Sequence, residues 1–393
     1  MRNMKSYFSK PAEHRYFMNK CYSVKGKEFS NKTEALSYAT QINAPVNAVK
    51  LMFHDDVWKN FDRTKIGLDL KNLYKLRAQQ IRDKYDYLIL YYSGGADSHN
   101  VLRSFLDNGI KLDEIAVRWP KKLIGSSLYV PNSLDQTARN FVSEWDLVIS
   151  KDLEQLRTTH PDIKITILDY VENIPRGYFN DSIFVKQNHM HSAVNLLRMQ
   201  KFTDTELNPK GKRVCAIAGI DKPMLVEHKG KAFMFFTDDI VSLYTKAEES
   251  FREDFYWTPD MPELAYSMAH AVFLYFKHNQ LARPLMPKAF WTELDEVIKH
   301  DSMQYYYRLI KPVIYESWDQ RKFQADKPFQ GFKSDKDFWF YESPDFEKTV
   351  EQWRYHYSSQ LSAVHERFCL VDKEGKKTGY KPILSNLYLI GSF

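Results

Sequence analysis

A short turn near the first quarter of the chain combines residue types that bind phosphate. Its sequence is Ser93-Gly94-Gly95-Ala96-Asp97-Ser98. The glycine pair lets a ligand approach the backbone closely, and a helix that begins here would direct its unpaired N–H groups toward an anion. The Asp97 carboxylate could hold Mg²⁺ against the same phosphates, while Ser93 and Ser98 add hydroxyl donors. The turn therefore predicts a phosphate site that uses a divalent cation.

The segments on either side of this turn predict the elements that position it. Residues 87–92 form a continuous apolar run, which is typical of a strand buried on both faces of a parallel sheet. Beyond the turn, apolar residues recur on one helical face, and Gly109 stands where a glycine commonly ends a helix. The order of strand, glycine turn and helix places the turn at the carboxyl end of a strand.

Two well-known phosphate motifs do not fit this turn. A Walker A loop requires a lysine directly after its last glycine, and none follows Gly95. A dinucleotide fold of the NAD type requires a third glycine, which is also missing here. The turn therefore belongs to a different class of phosphate loop.

The rest of the pattern predicts an α/β fold with a doubly wound parallel sheet. A helix over 69–86 precedes the first strand, and further strands are predicted at 114–119, 164–169 and 213–218, with helices at 136–156 and 187–201. A hairpin is predicted at 225–227 and 231–236, and aromatic-rich helices predominate from Glu248 onward, beginning with a helix at 262–278. We divide the chain into a small N-terminal α/β preface (1–68), the sheet domain (69–245), and a mostly helical C-terminal region with short terminal strands (246–393).

Composition narrows the class of protein. The chain has 393 residues, 44% of them hydrophobic and 15% aromatic, which is far too rich in core-forming side chains for a disordered protein. The net charge of +6 permits a phosphate or nucleic-acid partner without requiring one. Because no apolar run reaches the roughly 18 residues of a membrane span and the cysteines are few, we expect a soluble cytoplasmic protein with no membrane partner.

The loop resembles the Ser-Gly-Gly-x-Asp-Ser signature of the PP-loop ATP pyrophosphatases, whose fold is of the HUP type. That superfamily includes asparagine synthetase, GMP synthetase, argininosuccinate synthetase, NAD synthetase and tRNA lysidine synthetase. The resemblance covers about residues 85–225. It implies an ATP- and Mg²⁺-dependent ligase that forms AMP and pyrophosphate, in which the substrate is adenylated on a carboxylate or carbonyl oxygen and a nitrogen nucleophile then displaces AMP.

The resemblance also implies further site residues. Gly219-Ile220-Asp221-Lys222 follows the last predicted strand of the sheet and is similar to a second glycine and acidic position of the asparagine synthetase-like members. Asp97 and Asp221 would then contact the metal, and Lys222 would be a phosphate cation. Arg118, at the end of the second strand, is a candidate nucleotide contact. Four residues that could reach a phosphate or the substrate rank lower: Arg176, Lys186, His189 and Arg198.

Missing cysteines separate the chain from several of these relatives. A built-in glutaminase needs a catalytic cysteine at the second position, where this chain has Arg2. No cysteine pair or cluster supports sulfur insertion or a zinc site. His189 and His191, with Cys215 as the only cysteine nearby in sequence, form a zinc candidate that ranks below polar residues lining the adenylation pocket. The expected nitrogen source is therefore ammonia or an amine. The whole-chain pattern most resembles asparagine synthetase-like proteins of bacteriophages, which would place the protein in the host cytoplasm.

Several alternatives remain open at this stage. The same chemistry could act on a base of tRNA or DNA, or the chain could be an inactive nucleotide-binding module. Asp238 and Asp239 could extend the metal site or form a plain acidic turn. The aromatic residues Phe251, Phe255, Tyr256 and Trp257 are interpreted as core in preference to a base-stacking platform.

Overall fold

The structure is a computed structural model. It describes residues 22–30, 32–67, 69–118, 145–168, 211–219, 222–238, 251–287, 306, 309–319, 323, 361–371, 375 and 377–393. One large hydrophobic cluster runs through the N-terminal, central and C-terminal parts of these residues.

The central element is a five-stranded, all-parallel sheet flanked by helices. Its strands are β4 (Tyr87–Tyr91), β5 (Glu114–Arg118), β6 (Lys164–Leu168), β7 (Val214–Ala218) and β10 (Phe251–Asp254). Their spatial order is β10-β7-β4-β5-β6. The chain therefore builds outward from β4 in both directions, a strand order compatible with a doubly wound sheet. Such sheets bind ligands beyond the carboxyl ends of the strands, where the order reverses, which here lies between β4 and β7.

Strand register brings three loops to that edge. Tyr91 at the end of β4 pairs with Ala218 at the end of β7, and Ala218 pairs with Asp254 at the end of β10. The residues that directly follow these three strands consequently leave the sheet side by side. These are the loop from Ser93, the segment from Gly219, and the segment from Phe255.

The helix before β4 shows why the local sequence folds as it does. Helix α3 (Leu70–Lys84) begins at Asp69, whose side chain accepts a hydrogen bond from the backbone N–H of Asn72 at 3.0 Å. Its buried residues lie at the spacing of a single helical face and are Tyr74, Arg77, Ala78 and Ile81. This face packs the helix against the rest of the core.

The remaining described elements surround the sheet. Near the N-terminus, strands β1 (Tyr22–Val24), β2 (Lys27–Phe29) and β3 (Val49–Leu51) form an antiparallel sheet beside helices α1 (Lys32–Gln41) and α2 (Asp55–Lys59). Further on are α4 (Ala96–Leu106), a π-helical turn (Trp145–Ile149), α5 (Ser150–Thr159) and α6 (Pro262–His278). A hairpin of β8 (Met224–His228) and β9 (Lys231–Phe235) pairs with β13 (Tyr388–Ser392), while β11 (Cys369–Val371) pairs with β12 (Lys377–Tyr380).

Most of the predicted strands are confirmed to within a residue or two, and so are the helices at 69–86 and 262–278. The predicted helix at 136–156 is described only from Trp145, and the one at 187–201 lies outside the described residues. Strand β10 is an addition to the predicted sheet, since the sequence pattern from Glu248 onward predicts helices. The sheet therefore draws on residues from both sides of the expected boundary at 245/246.

Two further observations bear on the sequence expectations. Cys215 and Cys369 are both buried, and they are not joined in a disulfide. None of the helices in the described part of the chain combines the length and apolar character needed to cross a bilayer.

A buried ion network fastens α3 to β10. The Arg77 guanidinium lies 2.8 Å from Glu253 and also donates to the backbone oxygens of Asp254 and Phe255 at 2.8 and 3.3 Å. Lys84 Nζ and the Tyr85 hydroxyl each contact the other Glu253 oxygen at 2.6 Å. Burial raises the pKa of Glu253, but the charges of Arg77 and Lys84 outweigh it and hold that pKa below its ordinary value. The network fixes the segment that leaves β10 toward the candidate site.

Glu253→Gln is expected to lower the free energy of unfolding by about 3–5 kcal/mol, because it leaves the Arg77 charge buried without its counter-ion. Since the folded-state pKa of Glu253 is depressed, its contribution is present above the ordinary value of 4.5 and is lost as the pH falls below it. Denaturant titrations should therefore show the gap between wild type and variant narrowing under acid conditions. The matched control is Glu316→Gln, which removes an exposed partner of Lys71 and should change stability by less than about 1 kcal/mol. An equal loss in both variants would contradict this account.

Candidate active site

The predicted phosphate turn lies at the carboxyl end of β4, the middle strand of the sheet. Gly94 adopts a left-handed φ of 72°, which favours glycine, and Gly95 is the residue from which α4 begins. Among the residues that the structure describes, no side chain caps this end of α4. Backbone N–H groups of the first helical turn are therefore oriented to receive an anion.

Ser93 and Ser98 form hydrogen bonds within the turn. Ser98 Oγ donates to the carbonyl of Gly95 at 3.1 Å and accepts from the backbone N–H of Ser93 at 3.2 Å. The hydroxyls of Ser93 and Ser98 lie 3.2 Å apart, and the Gly95 N–H reaches Ser93 Oγ at 3.4 Å. Ser98 is buried, whereas Ser93 is exposed at the mouth of the turn. Ser98 thus holds the shape of the loop, and Ser93 is placed to meet a ligand.

Asp97 lies in the first turn of α4 and is paired with Lys222. The lysine Nζ lies 3.2 Å from Oδ1 and 3.4 Å from Oδ2 of the carboxylate. The Lys222 side chain is only 4% exposed and that of Asp97 is 20% exposed, so this pair sits at the boundary between the core and solvent. A cation and a carboxylate are therefore held together beside a helix N-terminus.

Gly219 explains how the end of β7 comes so close to the loop. A Cβ atom at this position would lie 3.0 Å from Ser98 Cα, 3.0 Å from Val101 Cγ2 and 3.1 Å from the carbonyl oxygen of Asp97. Contacts of this length are tighter than side chains normally tolerate, so only glycine fits without movement. The absence of a side chain at Gly219 lets the strand end pack directly on the N-terminus of α4.

Two tyrosines from the C-terminal part of the chain complete the surroundings of Asp97. The Tyr256 hydroxyl donates to the backbone oxygen of Asp97 at 2.5 Å, and the Tyr315 hydroxyl donates to its Oδ1 at 2.6 Å. Their rings pack together with centroids 5.7 Å apart. Burial, together with the Asp97 charge and neighbouring phenols, raises the pKa of both tyrosines well above the ordinary value. Both hydroxyls therefore remain hydrogen-bond donors at physiological pH.

A second polar network lies directly beside the loop. The Tyr92 hydroxyl donates a short hydrogen bond to Asp152 on α5 and lies 3.1 Å from Nδ1 of His99. Because the single phenol proton goes to Asp152, the contact with His99 requires Nδ1 to carry the donated hydrogen. In its neutral form the imidazole then has Nε2 as its acceptor nitrogen. The Phe323 ring packs against this imidazole at 5.2 Å.

The structure brings together the central part of the predicted site. Ser93, Asp97, Gly219 and Lys222 converge at one edge of the sheet. Arg118 is the last residue of β5 and so ends at the same edge. The other candidates lie outside the described residues: Asp221, Arg176, Lys186, His189, His191, Arg198 and Asp239.

Asp238 requires a correction. Its carboxylate is fully buried and lies 2.8 Å from the buried ammonium of Lys32, while Oδ1 accepts from the backbone N–H of Ile383 at 2.9 Å. It is therefore neither an extension of a metal site nor a plain acidic turn. The core interpretation of Phe255, Tyr256 and Trp257 is confirmed, since each is at most 1% exposed.

Five residues of the site and its surroundings were not identified from the sequence: Tyr256, Tyr315, Tyr92, His99 and Asp152. Tyr256 was correctly placed in the core, but its hydroxyl reaches the loop because β10 joins the sheet. Tyr315 has no local signal, since it comes from a segment more than 200 residues beyond Asp97. Tyr92 was read as part of the strand, and Asp152 as an ordinary helix residue. A strand prediction at 251–254 would have been the one available indication for Tyr256.

No family model matches the chain, and no curated protein matches it.

The donor set suits a phosphate group that brings its own divalent cation. Within the described ranges, no group of three or more His, Cys, Asp or Glu side chains lies close enough to hold a metal ion. Mg²⁺ in nucleotide sites commonly takes one or two protein carboxylates and fills its remaining positions with waters and phosphate oxygens. Asp97, beside the helix N-terminus and Lys222, could supply one such carboxylate.

Gly219→Ala is expected to lower the free energy of unfolding by about 1–3 kcal/mol, because the new methyl group would press on the first turn of α4. The matched control is Gly67→Ala, where the nearest atom to the added Cβ is the flexible end of Leu73 at 4.0 Å. Urea denaturation of both variants measures the difference. Equal stability of Gly219→Ala and Gly67→Ala would show that β7 and α4 are not in close contact.

Proposed function

We propose that this protein is an ATP pyrophosphatase of the PP-loop class, with a sheet of the HUP type. It would adenylate a carboxylate or carbonyl oxygen of a small molecule for attack by ammonia or an amine, releasing AMP and pyrophosphate. The observation that carries the proposal is the position of Ser93–Ser98, between the middle strand of a parallel sheet and an uncapped helix N-terminus. The pairing of Asp97 with Lys222 beside that loop supports it.

The placement of the loop supports a nucleotide in preference to a single phosphate ion. The loop follows β4, and Lys222 follows β7, so they flank the point at which the strand order reverses. Ligands of open α/β sheets lie in the crevice at this point. A nucleotide there would extend from the loop across the carboxyl ends of neighbouring strands, toward Arg118 at the end of β5.

Each residue of the described site has a distinct proposed role. The N–H groups of the loop and the first turn of α4 would bind the pyrophosphate that leaves, and Ser93 would add a hydroxyl donor. Lys222 would neutralise phosphate charge. Asp97 would hold Mg²⁺ that arrives with ATP, which supplies additional charge neutralisation on the phosphates. Such phosphate chemistry depends on positioning and charge neutralisation, and these residues provide both.

The proposed reaction balances in two stages. In the first, a substrate oxygen attacks the α-phosphorus, the bond between the α-phosphorus and the bridging oxygen breaks, and pyrophosphate leaves with the electron pair. In the second, nitrogen attacks the activated carbon, the bond from carbon to the AMP oxygen breaks, and nitrogen loses a proton. A nucleic-acid base as the acceptor would use the same two stages.

Incubation of the purified protein with Mg²⁺, ATP labelled at the α-phosphorus, and a panel of carboxylates with ammonia should yield labelled AMP and equimolar pyrophosphate. The variant Lys222→Met should weaken ATP binding by about tenfold to a hundredfold, since a charge-assisted hydrogen bond contributes about 1.5–3 kcal/mol. The matched control is Lys71→Met, which removes an exposed lysine on α3 and should bind ATP as the wild type does.

Two results would contradict the proposed function. Labelled ADP as the product would show cleavage between the β and γ phosphates. Equal ATP affinity in wild type, Lys222→Met and Lys71→Met would show that the nucleotide does not bind beside the loop. Turnover that requires added tRNA or DNA in place of small carboxylates would assign the same chemistry to a nucleic-acid base.

A further inference from the structure

The orientation of the Asp97 carboxylate is controlled by two donors from distant parts of the chain. Oδ1 receives the Tyr315 hydroxyl at 2.6 Å and lies 3.2 Å from Lys222 Nζ, while Oδ2 lies 3.4 Å from the same ammonium. Both donors converge most closely on Oδ1. A carboxylate held in this way has restricted rotation about its terminal torsion, which is broad when nothing holds it.

Tyr315 is itself held rigidly. It is 2% exposed, its ring packs against Tyr256, and its backbone N–H donates to the carbonyl of Lys311 at 2.9 Å. The residue before it is anchored to α3, because the Tyr74 hydroxyl donates to the carbonyl of Ile314 at 2.6 Å. Its hydroxyl is therefore presented to Asp97 from a fixed position.

The two donors differ in what happens when a phosphate group binds. Lys222 is a flexible cation and would be attracted to phosphate oxygens, which compete with Asp97 for its charge. Tyr315 is a neutral donor whose hydroxyl lies 2.6 Å from Oδ1. A neutral phenol carries no charge that a phosphate would attract, so its hydrogen bond to Oδ1 has no reason to break.

We propose that Tyr315 is a positioning residue for Asp97, whose hydroxyl holds the carboxylate in the orientation that binds the divalent cation of Mg·ATP. This inference rests on the proposed function and extends it to the C-terminal region, since Tyr315 lies far beyond the loop in sequence. The nucleotide site would then require residues 309–319 as well as the parallel sheet. The C-terminal region is in this respect part of the catalytic unit.

Tyr315→Phe removes the hydroxyl and keeps the ring. In calorimetric titrations, we expect metal-free ATP, with EDTA present, to bind this variant with an affinity within twofold of that of the wild type. Mg·ATP should bind it about fivefold to tenfold more weakly, which is the loss of affinity expected for one hydrogen bond. The matched control is Tyr266→Phe, which removes a buried hydroxyl that donates to the Trp58 carbonyl away from Asp97. It should leave both affinities unchanged.

A double-mutant cycle separates positioning from a general loss of structure. In an Asp97→Asn background, Tyr315→Phe should no longer alter the ratio of Mg·ATP affinity to ATP affinity, because the charged ligand it positions has gone. Equal weakening of ATP and Mg·ATP by Tyr315→Phe would indicate a structural role only and would overturn the inference. Identical affinities in wild type and Tyr315→Phe would overturn it as well.

A label that is nearly isosteric with tyrosine tests the same contact even if Tyr315→Phe does not fold. With 3-fluorotyrosine incorporated at position 315, the fluorine resonance should shift when Mg²⁺ is added to the ATP complex, and the same label at position 266 should not respond. An unresponsive label at 315 would overturn the inference. Absence of ATP binding to the wild-type protein would instead refute the proposed function, so the two failures are distinguishable.

Discussion

The Asp97 carboxylate is the point at which three distant parts of the chain meet. It belongs to the first turn of α4, it is paired with Lys222 beyond β7, and it accepts the hydroxyl of Tyr315 from the C-terminal region. A partly buried charge is stable only when opposite charge and hydrogen bonds compensate for lost solvation. The requirement to satisfy this single carboxylate therefore links the loop, the sheet and the C-terminal segment.

The arrangement also shows why the site occurs at this edge of the sheet. Parallel strands that end in register release their following residues side by side, and Gly219 removes the side chain that would keep β7 away from α4. The buried contact of Arg77 with the end of β10 fixes the direction in which the chain continues to Tyr256. Backbone geometry thus brings the donors together, and the buried ion network keeps them in place.

The fold of the central part could be predicted from the sequence because each local signal agreed with the tertiary structure. The apolar run at 87–92, the glycine turn and the stripe on α4 all describe one strand–turn–helix unit. Strand β10 could not be recognised in this way, since three of its four residues are charged and the buried Glu253 is paired with Arg77. A charged residue in a sequence segment predicts an exposed position unless its buried partner of opposite charge is known.

Contacts between residues that are far apart in sequence also limit how much of the candidate site could be predicted. Ser93, Asp97, Gly219 and Lys222 lie directly after strands, so the topology of the sheet identifies them. Tyr315 contacts Asp97, and Asp152 contacts Tyr92 beside the loop, only through long-range packing, which no local pattern encodes. Asp238 resembled an acidic turn because its partner, Lys32, lies about 200 residues earlier in the chain.

The most direct measurement of the central claim is a crystal structure of the protein with Mg²⁺ and an ATP analogue that cannot be cleaved between its α and β phosphates. We expect the β and γ phosphates to lie against the backbone N–H groups of Ser93–Ser98 and Lys222 to contact a phosphate oxygen. Mg²⁺ should bind Asp97, with Tyr315 still hydrogen-bonded to Oδ1. A nucleotide bound away from the carboxyl ends of β4 and β7, or phosphates that make no contact with the loop, would contradict it.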